Sequence, residues 1–589
     1  MKTSPLASCL AMLLLLSLWS CKSDTAEVAD QNEEATDISA IDFKRTENVV
    51  AVSLPAEPDA LSPLVTTLAY ARYVHEYIFQ TLNYMNLETY ELEPMLASLP
   101  EVAEQADGTI HHRYQLDERA TWPDGSPVTT ADVAFSMKVL LNPLVGAGAI
   151  RSFYQDVTDL IVEDERTFTV VTDQVYILTD YALASLYIYP EYAYDADGLM
   201  SDFSVADLAN AEQATQMAES DERLKTFAEA FQDFEMTHSP DKIVGSGAYK
   251  LDSWEPQQRL ILSRRDNYWA MDSDAPALQA LPEGLEFEII PDPQTAVVAL
   301  QDELVDVVID MIPERFVELS QSEDMTMKTR FGTEPSFSLY SILINSDDPM
   351  LNDPATRKAL AHLMNVDLLN EEYYNGMGQR SSNPVIPART YYDESLPLLE
   401  FDPVEAERLL ASAGWSDTDG DGILDRDGQA FELGLNTFNT PIGEAISDLF
   451  REGCQEVGIQ VSTDAMGAGP LYGKLNEGDF QLSAYAQGLQ PHPDEFSQSW
   501  LTTSIPSEGT NRGRFGDEAS DELINKIRVT TDADERAELY RQMQAIFYRE
   551  TPLIPLFSPL IRIVTSRRFE VTTGSITPGF SLASFKHLQ

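Results

Sequence analysis

The chain has 589 residues, 43% of them hydrophobic, more than a single core organises, so two or three globular domains are expected. Against 39 Lys plus Arg stand 97 Asp plus Glu, a formal net charge of -58. A surface of that sign repels phosphate backbones and anionic headgroups, which excludes nucleic acid as a partner and points to salt-rich surroundings where self-repulsion is screened.

Lys2 and the apolar run Leu10 to Leu18 open the chain. The run is too short to span a bilayer and reads as an export signal over residues 1–20. "LWSC" resembles the bacterial lipobox: Leu18 and Ser20 fit, Trp19 is bulkier than usual, and Cys21 would carry lipid. Cys9 would leave with the signal and Cys454 would have no partner, so no intramolecular disulfide is expected. Ile446, Leu449, Phe450, Cys454 and Val457 repeat at helical spacing, which makes Cys454 a buried core thiol. Residues 21–43 are acidic, poor in large apolar side chains and aperiodic, the signature of a disordered tether, and the folded body is expected to begin near Phe43.

"NVVAVSLP" from Asn48 predicts a strand, and "ARYVHEYIFQTLNYM" from Ala71 predicts a helix. His75 begins a zincin-like pattern, but Phe79 stands where the second metal-binding His is needed. In "TWPDGSPVTTADVAFS", Pro123-Asp124-Gly125 supplies a turn, and Thr129 with Asp132 forms a capping-box-like helix start. Both carboxylates therefore have structural tasks. Residues 207–236 read as one strong helical stretch with a solvated face. "GSGAYK" at 245–250 lacks the spacing and ending of a phosphate loop. "DTDGDGILDRDG" begins like a calcium loop with Asp417, Asp419 and Asp421, but Gly428 occupies the twelfth position where a bidentate Glu is required, leaving a weak calcium candidate. Strand and helix signals alternate throughout, which argues for mixed α/β lobes.

Six co-linear blocks carry a resemblance. They are "EPDALSPL", "YQLDERATWPDGSPVTTADVAFSMKVLLNP", "VGSGAYKLDSWEPQQRLILSRRDNYW", "SILINSDDPMLNDPATRKALAHLMNVDLL", "FDPVEAERLLASAGW" and the stretch from Phe515 to Phe557. Together they resemble bacterial extracellular solute-binding proteins of family 5, the oligopeptide and dipeptide type. The resemblance implies an α/β, two-lobed periplasmic-binding-protein-like fold of type II with an extra subdomain and a ligand cleft between the lobes. Lobe I would comprise 44–90, 237–335 and 548–589, the inserted subdomain 91–236 and lobe II 336–547, with crossings near "GTEPSFSLYS" and "ETPLIPLF".

It further implies a non-enzymatic, extracytoplasmic lipoprotein that hands a small ligand, foremost a peptide, to the permease of an ABC importer, acting as a monomer and without a cofactor. The alternatives are a non-peptide ligand such as a metal chelate, sugar or modified peptide, or a capture or sensing lipoprotein without a transporter. Position by position, the family's contact regions fall on Thr67, Tyr70, Tyr154, Tyr340, Tyr472, Tyr485, Gln487 and Gly488. Peptide-binding members place an Asp shortly before Pro493 to pair with the peptide's α-ammonium. This chain has Leu489 and Gln490 there, and His492 before the proline. Either Asp494 or another acid takes over, or the ligand lacks a free amino terminus at that place.

Overall fold

The computed structural model of the chain describes residues 41–66, 68–506 and 509–588. The expected signal, Cys21, the tether up to residue 40, and Thr67 lie outside them. Phe43 is buried. No helix among the described residues is long and apolar enough to cross a membrane.

Twelve strands form one extended sheet. In chain order they are β1 (Val49–Leu54), β2 (Tyr249–Glu255), β3 (Arg259–Arg264), β4 (Gly284–Ile289), β5 (Val307–Val308), β6 (Thr329–Pro335), β7 (Ser338–Ile344), β8 (Gly378–Arg380), β9 (Glu432–Phe438), β10 (Gln460–Met466), β11 (Leu482–Gly488) and β12 (Leu553–Ser566). Across the sheet the order is β10-β9-β11-β7-β12-β5-β1-β4-β3-β2, with β6 and β8 also pairing with β12. β1 runs parallel to both neighbours and is buried along nearly its whole length, which explains its unbroken apolar run "VVAV".

β12 is the strand that both halves share. Its later residues pair with β6, from Thr329 opposite Ser566 to Pro335 opposite Leu560, and its earlier ones with β7, from Tyr340 opposite Phe557 to Leu343 opposite Leu553. The chain therefore passes from one half to the other at Ser336 and Phe337, facing Ser558 and Pro559. A hydrogen bond from the Ser558 hydroxyl to the Ser336 carbonyl, 3.0 Å, clips the two crossings together.

A separate antiparallel sheet orders Glu101–Glu104, Ile110–Gln115, Thr167–Thr172 and Val157–Val162. The helix Thr130–Leu141 has its capping box formed between Thr129 and Asp132, and the indole N–H of fully buried Trp122 donates to Asp132 Oδ2 at 3.3 Å. Cys454 lies in the helix Pro441–Glu456, fully buried, its thiol pushed up by burial and so unreactive.

Two sequence-based expectations change. The helix expected over residues 71–85 is confined to α1 (Ala69–His75). Beyond it the carbonyls of Tyr77 and Ile78 accept from the N–H groups of Tyr249 and Gly247, so they pair across to the start of β2 instead of continuing the helix. The stretch 207–236 is broken into Val205–Ala209, Ala211–Ser220, Glu222–Phe231 and Phe234–His238. Asp221 and Asp233 each cap the segment that follows, because a short carboxylate satisfies the free N–H groups of a new helix better than it sits inside one.

Candidate ligand-binding site

Several separate stretches of the chain meet around a cavity of 470 Å³. α1 and the segment after it contribute Arg72, Glu76, Tyr77, Phe79 and Gln80. The 150–187 region contributes Phe153, Tyr154, Tyr181 and Tyr187, the start of β2 contributes Gly247 and Tyr249, and the loop after β11 closes one wall with Gln490, Pro491 and His492. The volume lies within the range of about 300–1,000 Å³ usual for small-molecule sites. Seven of the residues lining it are tyrosines: Tyr77, Tyr84, Tyr154, Tyr181, Tyr187, Tyr249 and Tyr268. Such rings provide apolar area with polar tips, suited to a ligand that carries both characters.

The glycines of "GSGAYK" are explained here. A Cβ on Gly245 would stand 2.2 Å from the Ile78 carbonyl oxygen, and one on Gly247 would stand 2.5 Å from that of Tyr77. Only glycine lets the start of β2 approach the backbone that follows Glu76 so closely.

Of the residues expected from the sequence to touch ligand, Tyr154 and Gln490 line this cavity. Tyr154 is buried and its hydroxyl donates to the Ala182 carbonyl, so it presents ring surface. Tyr70 and Tyr340 lie near Asp310 and Arg562 instead. Tyr70 donates to Asp310 Oδ2 at 3.3 Å, and burial followed by the Asp310 charge pushes its phenol up to about 12. Tyr340 packs against Tyr374 and Phe557, with ring centroids 6.3 and 5.5 Å away. Burial likewise raises the Asp310 carboxyl, against the charge of Arg562.

Tyr472 and Tyr485 gather around Arg512, whose guanidinium lies 5.4 and 5.9 Å from their ring centroids and donates to the Tyr485 hydroxyl at 3.2 Å. Gln487 and Gly488 end β11, paired with Leu339 and Ser338 of β7. Leu489 donates its N–H to the Phe337 carbonyl and packs, partly buried, against the cluster of Phe337 and Leu339.

Asp494 is already paired. Arg389 Nη2 lies 2.6 Å from its Oδ1, and the Tyr391 hydroxyl donates to its Oδ2 at 2.9 Å. The same guanidinium donates to the carbonyls of Gln490 and Pro491, which fixes the 490–494 loop as a wall of the cavity. His492 sits 5.9 Å from the Tyr181 ring, and burial lowers its imidazole pKa, favouring the neutral form.

In the sequence His75-Glu76 reads only as a failed zinc motif, and nothing there selects Glu76. It stands at the C-terminal cap of α1 and retains accessible surface although protein surrounds it, because the space beside it is the cavity. Burial raises its carboxyl above the ordinary range, opposed by the charge of Arg72 and a hydrogen bond from Tyr77. The acidic turn at 417–428 brings oxygens of Asp417, Asp419 and Asp425 within 4.8 Å of one another, with Asp421 outside that group. Asp417 is occupied with the N–H groups of Gly420 and Gly422, as expected of a turn.

Comparison with known proteins agrees with this architecture. The oligopeptide-binding protein AppA of Bacillus subtilis is 23% identical over 470 residues, 78% of each chain. The structure of that species' AppA in complex with a nonapeptide superposes with a TM-score of 0.68 at 20% identity, covering 92% of this chain and all of that one. NikA from Brucella suis in complex with Fe(III)-EDTA gives 0.73 at 18% identity, again with 92% of this chain and all of that one covered. A sequence profile for bacterial extracellular solute-binding proteins, family 5 Middle, matches residues 91–508. That span is most of the chain, and the protein belongs to the bacterial extracellular solute-binding proteins of family 5.

Proposed function

We propose that this chain is the ligand-capturing lipoprotein of an ABC importer, that it takes a short peptide into the 470 Å³ cavity, and that lobe closure presents the filled cavity to the permease. The observation that carries this reading is the meeting of several separate stretches of the chain on one aromatic-walled space, with β12 as a strand shared by both halves. A ligand that bridges those stretches favours the closed arrangement over the open one. The relative named as an oligopeptide-binding protein supports the ligand class. The protein acts as a binding monomer, not a catalyst, held outside the cytoplasm by lipid on Cys21.

A second reading is a metal chelate, since one solved neighbour holds Fe(III)-EDTA and a relative from Escherichia coli is named a nickel-binding periplasmic protein. Glu76 favours a cationic group in the ligand over an anionic chelate, because a cation beside this carboxyl would offset the cost of its burial. Titration of ligand-free protein with di- to pentapeptides and with nickel-histidine and iron-EDTA chelates tests the choice. Micromolar or tighter binding confined to peptides is expected, and binding confined to chelates overturns it.

A further inference from the structure

Within the cavity, the charged side chains are Arg72 and Glu76. Arg72 is committed elsewhere: its guanidinium donates to the Thr577 carbonyl at 2.9 Å and lies 5.7 Å from the Tyr73 ring centroid. Among the described residues, no Lys, Arg or His nitrogen comes within 4.0 Å of the Glu76 carboxylate. The groups around it are phenols. Tyr77 hydrogen-bonds it, and its charge is felt by Tyr73, Tyr84 and Tyr187. Its position at the C-terminal cap of α1 also sets it against the helix dipole, where a cation would be the favoured occupant. A carboxylate that is desolvated, unpaired and at the wrong end of a helix weakens the ligand-free protein. A cation delivered from outside reverses each of those terms, and tyrosine faces add to its stabilisation.

We propose that Glu76 is the counter-ion for the ammonium group of the bound ligand, so that the ligand's amino terminus lies at the α1 end of the cavity and not against the loop after β11. This rests on the peptide reading above. It replaces the expectation that Asp494 plays this part, since Arg389 and Tyr391 already occupy that carboxylate. Arg72, Tyr73, the seven tyrosines of the cavity wall, His75 and His492 are the other titratable groups near the site. With both imidazoles neutral, Glu76 supplies the cavity's negative charge.

The test uses the full mature chain, freed of bound ligand by unfolding and refolding, and a synthetic library of lysine-free di- to tetrapeptides offered with free or acetylated amino termini. Binding is read by native mass spectrometry and by titration of the strongest binder. Acetylation is expected to weaken binding to the wild type by roughly 30-fold or more. Glu76→Gln should lose a similar factor for free peptides and nothing for acetylated ones, while Glu76→Asp recovers part of the loss. The Gln variant should also melt higher than the ligand-free wild type at neutral pH, which separates lost binding from lost folding. Equal binding of both libraries by the wild type, or unchanged affinity of Glu76→Gln for free peptides, overturns the inference and leaves the peptide reading standing. A wild type that binds neither library overturns both.

Discussion

Arg389 and Asp494 are joined by a 2.6 Å ion pair whose side chains are 4% and 13% exposed, and the same guanidinium holds two carbonyls of the cavity wall. Arg389→Ala would leave a half-buried carboxylate without its cation, at about 3–5 kcal/mol. It would also free Gln490 and Pro491, so ligand affinity should fall at least about tenfold, a loss of about 1.4 kcal/mol. Urea unfolding and ligand titration check the two effects separately. Unchanged affinity in a destabilised variant would show that the wall does not depend on this clamp.

Asp306 and Arg568 form a more deeply buried pair, 2.9 Å apart and 4% and 1% exposed. Arg568 also donates to the carbonyls of Glu47 and Val49, and the Asp306 carboxylate accepts from the Ala51 N–H, so the pair fastens β1 to the end of β12. Arg568→Ala should cost about 3–5 kcal/mol. Breaking the exposed Arg223–Asp202 contact, 41% and 74% exposed, should move the denaturation midpoint far less, because water and salt screen it. Chemical denaturation of both variants under one buffer gives the comparison.

Gly247→Ala would place a methyl group against the backbone of Tyr77 and Ile78, which cannot rotate away. A cost of about 1–3 kcal/mol is expected for forcing the two segments apart. Because those segments carry Glu76, Tyr77 and Tyr249 into the cavity, affinity should fall as well. Alanine at Gly332, whose added Cβ meets nothing within 4 Å, serves as the control and should do neither.

His75 is buried with its ring 5.4 Å from that of Tyr187, and burial, aided by the Arg72 charge, lowers its pKa to about 3. The unfolded chain therefore takes up this proton near pH 6.5 while the folded one refuses it. The stability it contributes is complete above pH 6.5 and is lost as pH falls toward 3, at up to about 1.4 kcal/mol per unit. Glu76 works in the opposite sense. Its raised folded pKa gives stability that is full below the unfolded value of about 4.5 and lost as pH rises through the folded one. Between pH 4.5 and 6.5, His75→Phe should flatten the pH dependence of the denaturation midpoint, and Glu76→Gln should steepen it. No change of slope in either variant would contradict these assignments.

The local features of the fold were legible because their causes are local. The Thr129–Asp132 capping box, the Asp124 turn and the buried Cys454 helix each follow from a few neighbouring residues, and the structure shows all three. The shortened α1 was not legible, since what ends it is pairing with Gly247 and Tyr249 far along the chain. The site divides the same way. Tyr154 and Gln490, which the family resemblance singles out, line the cavity, whereas nothing near Glu76 in sequence shows that its helix end borders one. The opposite walls come from residues 490–492 and 576–583. Asp494 looked available because Arg389, which holds it, lies 105 positions away.

Native mass spectrometry of the full chain as purified from its own host, followed by sequencing of whatever is released on unfolding, tests the central claim most directly. A ladder of short peptides is expected, one per protein, all with free amino termini. A single non-peptide mass, or peptides uniformly blocked at the amino terminus, would contradict it.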